Sequence, residues 1–252
     1  MNNDLFSTPD EMPPFAIPLG EDYSWKWNEI LNGFDIKVPN GELFYSENFF
    51  NEKICTRSIN YFLENNENLS HDTNWRDYSE SNLQTVNFKN INWRHDKLYR
   101  FGSEIYLPRY SAWYGDSDKP YTYSGLTLQP NSWNKGLLYI KNEIEKTVNI
   151  QFNSVLMNWY RDGADYLSWH TDAEKELGQN PVIGSVNFGA TRDFLIRSNN
   201  DNSVKLKIPL KNGTLLIMKG QLQHFWQHSV PKRAKIKELR FNLTFREIKH
   251  TE

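Results

Sequence analysis

Apolar residues recur along this chain with two different periods, and the change of period divides it. Between residues 51 and 65, Ile54, Cys55, Ile59, Phe62 and Leu63 fall at helical spacing, which makes one face of a 3.6-residue helix apolar. Asn51 stands in front of that run as an N-cap, and the spacing predicts an amphipathic helix to about Asn65. A second run after Pro130 (Trp133, Leu137, Ile140, Ile144 and Val148) steps by three and four residues and predicts another helix, capped by Asn131 or Ser132. From Ser154 onward the period is two. Strands are expected near 154–160, 166–171, 182–188, 193–198, 204–210, 213–218, 225–229 and 239–247, punctuated by Gly163, Gly189 and Asn212-Gly213. Leu43-Phe44-Tyr45 reads as a short strand ahead of the first helix. Helices followed by many short strands predict an α+β domain, with helices packed on a double-sheet β core of the jelly-roll kind.

The remaining stretches are less patterned. Residues 1–40 carry Pro9, Pro13, Pro14, Pro18 and Pro39 with no sustained apolar period. They are expected to form a poorly ordered arm, with Tyr23, Trp25 and Trp27 packing locally. Residues 66–95 are polar around Trp75 and Trp93 and predict no element. The folded domain is therefore expected over 41–252. At 252 residues, 38% hydrophobic and 24% charged, the chain suits one globular domain with a real core. No apolar run is long enough to span a bilayer, and no basic-then-apolar signal pattern opens the chain. One cysteine, Cys55, excludes intramolecular disulfides. The expectation is an intracellular monomer without a membrane partner, in cytoplasm or nucleus according to the host. A net charge of −2 neither requires nor forbids nucleic acid, which would need a local basic face. Lys232, Arg233, Lys235 and Lys237 form the densest basic cluster, either a track for a phosphate backbone or a solvated loop.

Candidate chemistry centres on His170-Thr171-Asp172. Residues two apart in an extended segment share a face, roughly 6–7 Å apart at the backbone. His228 is the best-placed third ligand. Two histidines and one carboxylate make the facial triad of non-haem Fe(II) oxygenases, which leaves positions open for cosubstrate and oxygen. Zinc is the competing metal: His224 and His228 are four apart, but a helical zinc motif of the protease kind needs a glutamate after the first histidine, and Phe225 stands there. In a strand that spacing covers about 13 Å, too far for one ion. His224 is thus read as a bystander, and His71, His95 and His250 as surface or satisfied histidines. The bland alternative to the triad is a core histidine beside a solvated aspartate. The final strand weighs toward the triad. Alternation puts Arg240, Asn242, Thr244 and Arg246 on one face and Phe241, Leu243 and Phe245 on the other. Leu156, Asn158 and Tyr160 likewise share a face. Two guanidiniums converging with an amide and a phenol suit a dicarboxylate, which arginine binds through paired charge-assisted hydrogen bonds.

These motifs in order resemble the AlkB family of Fe(II)- and 2-oxoglutarate-dependent dioxygenases, most closely its animal-type DNA and RNA repair members. The resemblance runs from about Phe101 to Ile248. It takes in Tyr121-Thr122-Tyr123-Ser124-Gly125-Leu126, Asn158-Trp159-Tyr160, His170-Thr171-Asp172, Ser185 to Phe194, Gly213 to Met218, Trp226-Gln227-His228 and Arg240 to Arg246. It implies that His170, Asp172 and His228 ligate Fe(II). Arg240 and Tyr160, with Asn242, would hold the distal carboxylate of 2-oxoglutarate, and Arg246 and Asn158 its chelating end. The reaction implied is hydroxylation of an N-methyl group on a damaged base, with 2-oxoglutarate and O2 as cosubstrates and formaldehyde released. Lesions of the 1-methyladenine and 3-methylcytosine type are expected in single-stranded or locally opened DNA, with RNA as the second polymer, because the Watson–Crick edge is unreachable in a stacked duplex.

On the substrate side the resemblance places Tyr123 and His170 about the flipped base, with Tyr121, Ser124 and Glu174 near its edge or backbone. It places Phe101 as a wedge that fills the vacated stack. Ala173 replaces an acidic residue common in close relatives, and Glu104 beside the wedge is expected to repel phosphate. Two other readings stand beside this one: the same oxygenase acting on a protein, lipid or small molecule, and a non-catalytic jelly-roll module that binds nucleic acid.

Overall fold

The computed structural model describes residues 12–249 apart from 101, 118–120, 124 and 125, and only the backbone of 98, 100, 121–123 and 126–128. The chain begins with three strands, β1 (Ser24–Asn28), β2 (Gly33–Val38) and β3 (Gly41–Ser46), followed by α1 (Glu52–Leu63) and α2 (Glu80–Thr85). Two hairpins, β4 (Lys97–Arg100) with β5 (Ser103–Tyr106) and β7 (Tyr121–Tyr123) with β8 (Leu126–Leu128), flank β6 (Tyr110–Gly115). Then come α3 (Lys135–Val148), β9 (Ser154–Tyr160), β10 (Leu167–His170), β11 (Ile183–Gly189) and β12 (Arg192–Ser198). The chain continues through β13 (Lys205–Leu210), β14 (Leu215–Gly220), the single turn α4 (Leu222–Phe225), β15 (Trp226–Val230) and β16 (Arg240–Arg246).

The strands form an antiparallel double-sheet core. The large sheet has eight strands in the order β1-β2-β3-β14-β11-β16-β9-β6, and the small sheet four, β10-β15-β12-β13. Period-two alternation decides what each face holds. On the outer face, Val155, Met157, Trp159, Phe241, Leu243 and Phe245 bury against Phe62 and Leu63 of α1 and Leu137, Ile140 and Ile144 of α3. Each such side chain contributes about 1.5–3 kcal/mol of burial, so a one-residue slip of β16 would expose its phenylalanines and bury its arginines against the helices. On the inner face, register sets Arg240 opposite Tyr160 and Asn242 opposite Asn158, with Asn187 and Ser185 of β11 opposite Asn242 and Thr244. Leu216 and Met218 close that face against Phe194, Ile196, Leu206 and Ile208 of the small sheet.

Both long helices form where the periodicity predicts them, with differences at their ends. Asn51 caps α1 through Ile54 N at 3.0 Å. The helix stops at Leu63 because the Asn65 amide turns back to the carbonyls of Leu63 and Leu69. The cap of α3 is Asn134, which accepts from Leu137 N at 3.0 Å, not Asn131 or Ser132. The Asn131 amide instead donates to the Trp113 carbonyl.

The N-terminal expectation needs correction. Residues 24–38 are two paired strands at the edge of the large sheet, not part of a poorly ordered arm. Phe34, Ile36 and Val38 alternate inward and are buried, and Trp27 packs edge-on to Phe34 at 4.9 Å. Prolines on either side masked a strand pattern only three apolar residues long. Residues 1–11 lie outside the described residues. Within 66–95, which predicted no element, Trp75 is buried edge-on against Trp159 at 4.9 Å. It belongs to no periodic apolar run, so no local period announces its burial against a distant strand.

Candidate metal centre

The two sheets meet over a pocket of about 460 Å³, mouth included, that joins a three-ligand cluster to the polar face of β16. β10 and β15 are antiparallel neighbours, and after an irregularity past Leu167 His170 stands opposite His228. The ligand atoms of His170, Asp172 and His228 all lie within 4.8 Å of one another, and no other such group of His, Cys, Asp and Glu occurs among the described residues. His170 Nδ1 is 2.8 Å from the Ser168 carbonyl. That oxygen only accepts, so Nδ1 carries the proton and Nε2 turns its lone pair toward Asp172 Oδ1, 3.7 Å away.

Asp172 is positioned from two sides. Its Oδ2 accepts from Arg246 Nη2 at 2.8 Å, and its backbone N–H donates to Gln223 Oε1 at 2.9 Å. Its Oδ1 is buried and makes no hydrogen bond. Burial by itself would raise the carboxyl, but Arg246, His228 and His170 together hold it well below the usual carboxylate range. Burial, reinforced by His170, pushes the His228 imidazole down to about 3, and burial lowers His170 as well. An ionised carboxylate with a free oxygen beside two neutral imidazoles is the donor set a divalent cation requires. The site fits Fe(II).

The far end of the pocket holds a second unbalanced group. Arg240 is 1% exposed, its guanidinium lies 5.0 Å from the Tyr160 ring, and Nη2 donates to Asn187 Oδ1. Its Nε and Nη1 are buried without partners, as is the Tyr160 hydroxyl. Burial lowers the Arg240 guanidinium to about 10, but arginine stays charged in proteins. A buried cation with spare donors is costly unless an anion meets it. Arg192, also near the Tyr160 ring, is tied instead to the carbonyls of Asp162, Asp165 and Pro231.

Three residues of this machinery were missed by sequence reading. Arg109 is buried and donates from Nε to Asn158 Oδ1 at 2.8 Å. Asn187 lies within the Ser185 to Phe194 motif without a role assigned to it, Gln223 carries no motif signal, and they orient Arg240 and Asp172 respectively. Asn242 lines the pocket, but its amide nitrogen already faces Ser185 Oγ, the Val186 carbonyl and Asn187 Oδ1. His224 is indeed a bystander, directed at the Gln179 carbonyl. On the substrate side, Glu174 is half-buried two residues past Asp172. Tyr121 and Tyr123 sit on β7, paired with β8, and their side chains lie outside the described residues, as do Phe101 and Ser124. Glu104 is paired with Lys97 at 2.9 Å, so its charge is partly balanced.

The comparisons agree with this chemistry. The chain matches the 2OG-Fe(II) oxygenase superfamily over residues 44–246 and belongs to it; Fe(II), 2-oxoglutarate and O2 are that superfamily's reactants. Several of its curated relatives carry AlkB names. "Alpha-ketoglutarate-dependent dioxygenase alkB homolog 3" of Bos taurus is 44% identical over 169 residues, 64% of this chain and 58% of that protein. The Homo sapiens protein of the same name is 43% identical over 169 residues, with the same coverage. "DNA oxidative demethylase ALKBH2" of Homo sapiens is 40% identical over 155 residues, 59% of each chain. The aligned region spans little more than half the length of these relatives.

Proposed function

We propose that this chain is an intracellular oxidative demethylase that removes N-methyl groups as formaldehyde from bases of the 1-methyladenine and 3-methylcytosine type. The polymer is single-stranded or locally opened DNA, with RNA second. One observation carries the oxygenase reading: a single pocket joins the His170, Asp172 and His228 cluster to the uncompensated buried cation of Arg240. The names of the relatives support the nucleic-acid part.

When bound, Fe(II) with 2-oxoglutarate and O2 supplies the oxidising chemistry. The protein supplies placement and a dry cavity. His170 Nε2, Asp172 Oδ1 and His228 would hold the metal. Arg240 and the Tyr160 hydroxyl would grip the distal carboxylate of 2-oxoglutarate, while Asn242 acts indirectly by orienting Asn187. Arg246 and Asn158 would meet the chelating end, and Arg109 keeps the Asn158 amide turned. Tyr123 and His170 would flank the flipped base, with Tyr121, Ser124 and Glu174 at its edge and Phe101 filling the gap it leaves. His170, with its side chain 21% exposed, stands toward the opening, as a ring that meets both metal and base must.

The test is anaerobic reconstitution with Fe(II) and 2-oxoglutarate, then oxygen and a methylated single-stranded DNA oligonucleotide, with its RNA counterpart in parallel. Mass spectrometry should record loss of the methyl group, abolished by His170→Ala. Succinate without demethylation of either polymer would refute the substrate assignment and leave the oxygenase.

A further inference from the structure

Outside the pocket, a column of five side chains runs through the base of the β4–β5 hairpin. Lys97 Nζ stands 4.8 Å from the Tyr106 ring. Tyr106 stacks on His95 at 4.5 Å and His95 on Tyr110 at 4.3 Å. The Arg161 guanidinium lies 5.2 Å from the Tyr110 ring. His95 is at the centre, its side chain 6% exposed. Nδ1 meets the carboxylate of Glu80 in the first turn of α2, and Nε2 is 2.6 Å from the Leu107 carbonyl. The Tyr110 hydroxyl donates to the same Glu80 oxygen at 2.8 Å.

This arrangement is more than the hairpin needs to form. β4 and β5 pair with each other from Lys97↔Tyr106 to Arg100↔Ser103, and their two-stranded sheet joins neither large nor small sheet. Their base is tied to β6 by the Arg94↔Ser111 bridge and closed by Leu107 N donating to the Asp96 carbonyl, and the His95 stack adds a side-chain anchor at the same place. His95 touches α2, β6 and the end of the hairpin at once. Two residues beyond Leu107, Arg109 donates to Asn158, which lines the pocket, so the segment His95 grips leads to the hairpin on one side and to the pocket wall on the other.

We propose that His95 is a positioning residue that anchors the base of the β4–β5 hairpin to α2 and β6, setting affinity for the polymer without touching polymer, cosubstrate or iron. The proposal rests on the reading above that this hairpin meets nucleic acid. It is tested on the full chain with Fe(II), 2-oxoglutarate and a single-stranded oligonucleotide carrying 3-methylcytosine. His95→Ala removes stack and hydrogen bonds, and His95→Phe keeps a ring but removes both ring nitrogens.

Both variants should raise KM for the oligonucleotide about tenfold, the scale of one lost charge-assisted hydrogen bond, with kcat and oligonucleotide-free succinate formation held within about twofold. A KM within twofold of the parent overturns the proposal. So does a proportional fall in kcat and oligonucleotide-free turnover, which marks general damage. Hydrogen exchange keeps the question independent of substrate: exchange should rise across 97–106 and stay unchanged across 154–160 and 240–246. Unchanged exchange at 97–106 overturns the anchor even if the parent protein demethylates no oligonucleotide.

Discussion

The Arg246–Asp172 pair makes the sharpest demand on the energetics of the site. Both side chains are sealed, 3% and 2% exposed, and joined at 2.8 Å. Solvent screening therefore does little, and removing one partner leaves the other as an uncompensated buried charge, a loss of about 3–5 kcal/mol. Arg246→Met keeps most of the side chain's unbranched length, so the cavity contribution stays small and the lost charge dominates. At roughly 3 °C per kcal/mol for a chain of this size, the metal-free variant should melt about 12 °C below the parent. Because the unbalanced group is the carboxylate proposed to hold the metal, a divalent cation bound by His170, Asp172 and His228 would supply the missing positive charge. Mn(II), which binds without starting turnover, should thus raise the variant's Tm by several degrees more than it raises the parent's. Calorimetric melts of both proteins, with chelator and with Mn(II), read the two shifts. A metal-free Tm within about 2 °C of the parent, against the scale just given, would sink the buried-pair argument. Equal Mn(II) shifts in the two proteins would show that the carboxylate is not the metal's ligand.

Other perturbations address separate parts of the site. Tyr160→Phe deletes a buried hydroxyl that has no partner; isothermal calorimetry should find 2-oxoglutarate affinity reduced about tenfold, with Tm unchanged or higher. Gln223→Leu strips the acceptor from the Asp172 N–H; it should cost about 1–3 kcal/mol in urea unfolding and weaken Mn(II) binding about 10–100-fold. For Cys55, burial, aided by the Glu52 charge, pushes the thiol up from 9.0 to about 11. The folded state thus holds that proton longer than the unfolded state. The stability it contributes is intact below the unfolded value and is lost as pH climbs through the folded one. Native protein at pH 8 should therefore resist an aromatic disulfide reagent until urea unfolds it, and fast native labelling would contradict the burial.

The His170–Asp172 spacing, the inward face of β16 and both long helices were legible because each is written in local spacing. Period two in β16 sets Arg240, Asn242, Thr244 and Arg246 against Phe241, Leu243 and Phe245 whatever the strand pairs with, and the buried phenylalanines leave it no alternative register. The ligand atoms of His170 and Asp172 converge although Asp172 lies past the end of β10. Where apolar period was short or absent, reading failed: β2 offers only Phe34, Ile36 and Val38 among prolines, and Trp75 belongs to no periodic run.

The sequence by itself determined which residues are chemically equipped and which face of their own element they occupy. Tertiary structure alone decided which of them meet. Arg109 and Asn158 are 49 residues apart and Asp172 and Gln223 are 51, and each pair exists because separate elements pack together. His95 shows the same division: its sequence neighbourhood reads as an ordinary satisfied histidine, and its place between α2, β6 and the hairpin follows from packing. Periodicity is a property of one segment and survives in the linear chain, whereas a hydrogen bond between segments depends on loop paths and sheet order that no single segment encodes.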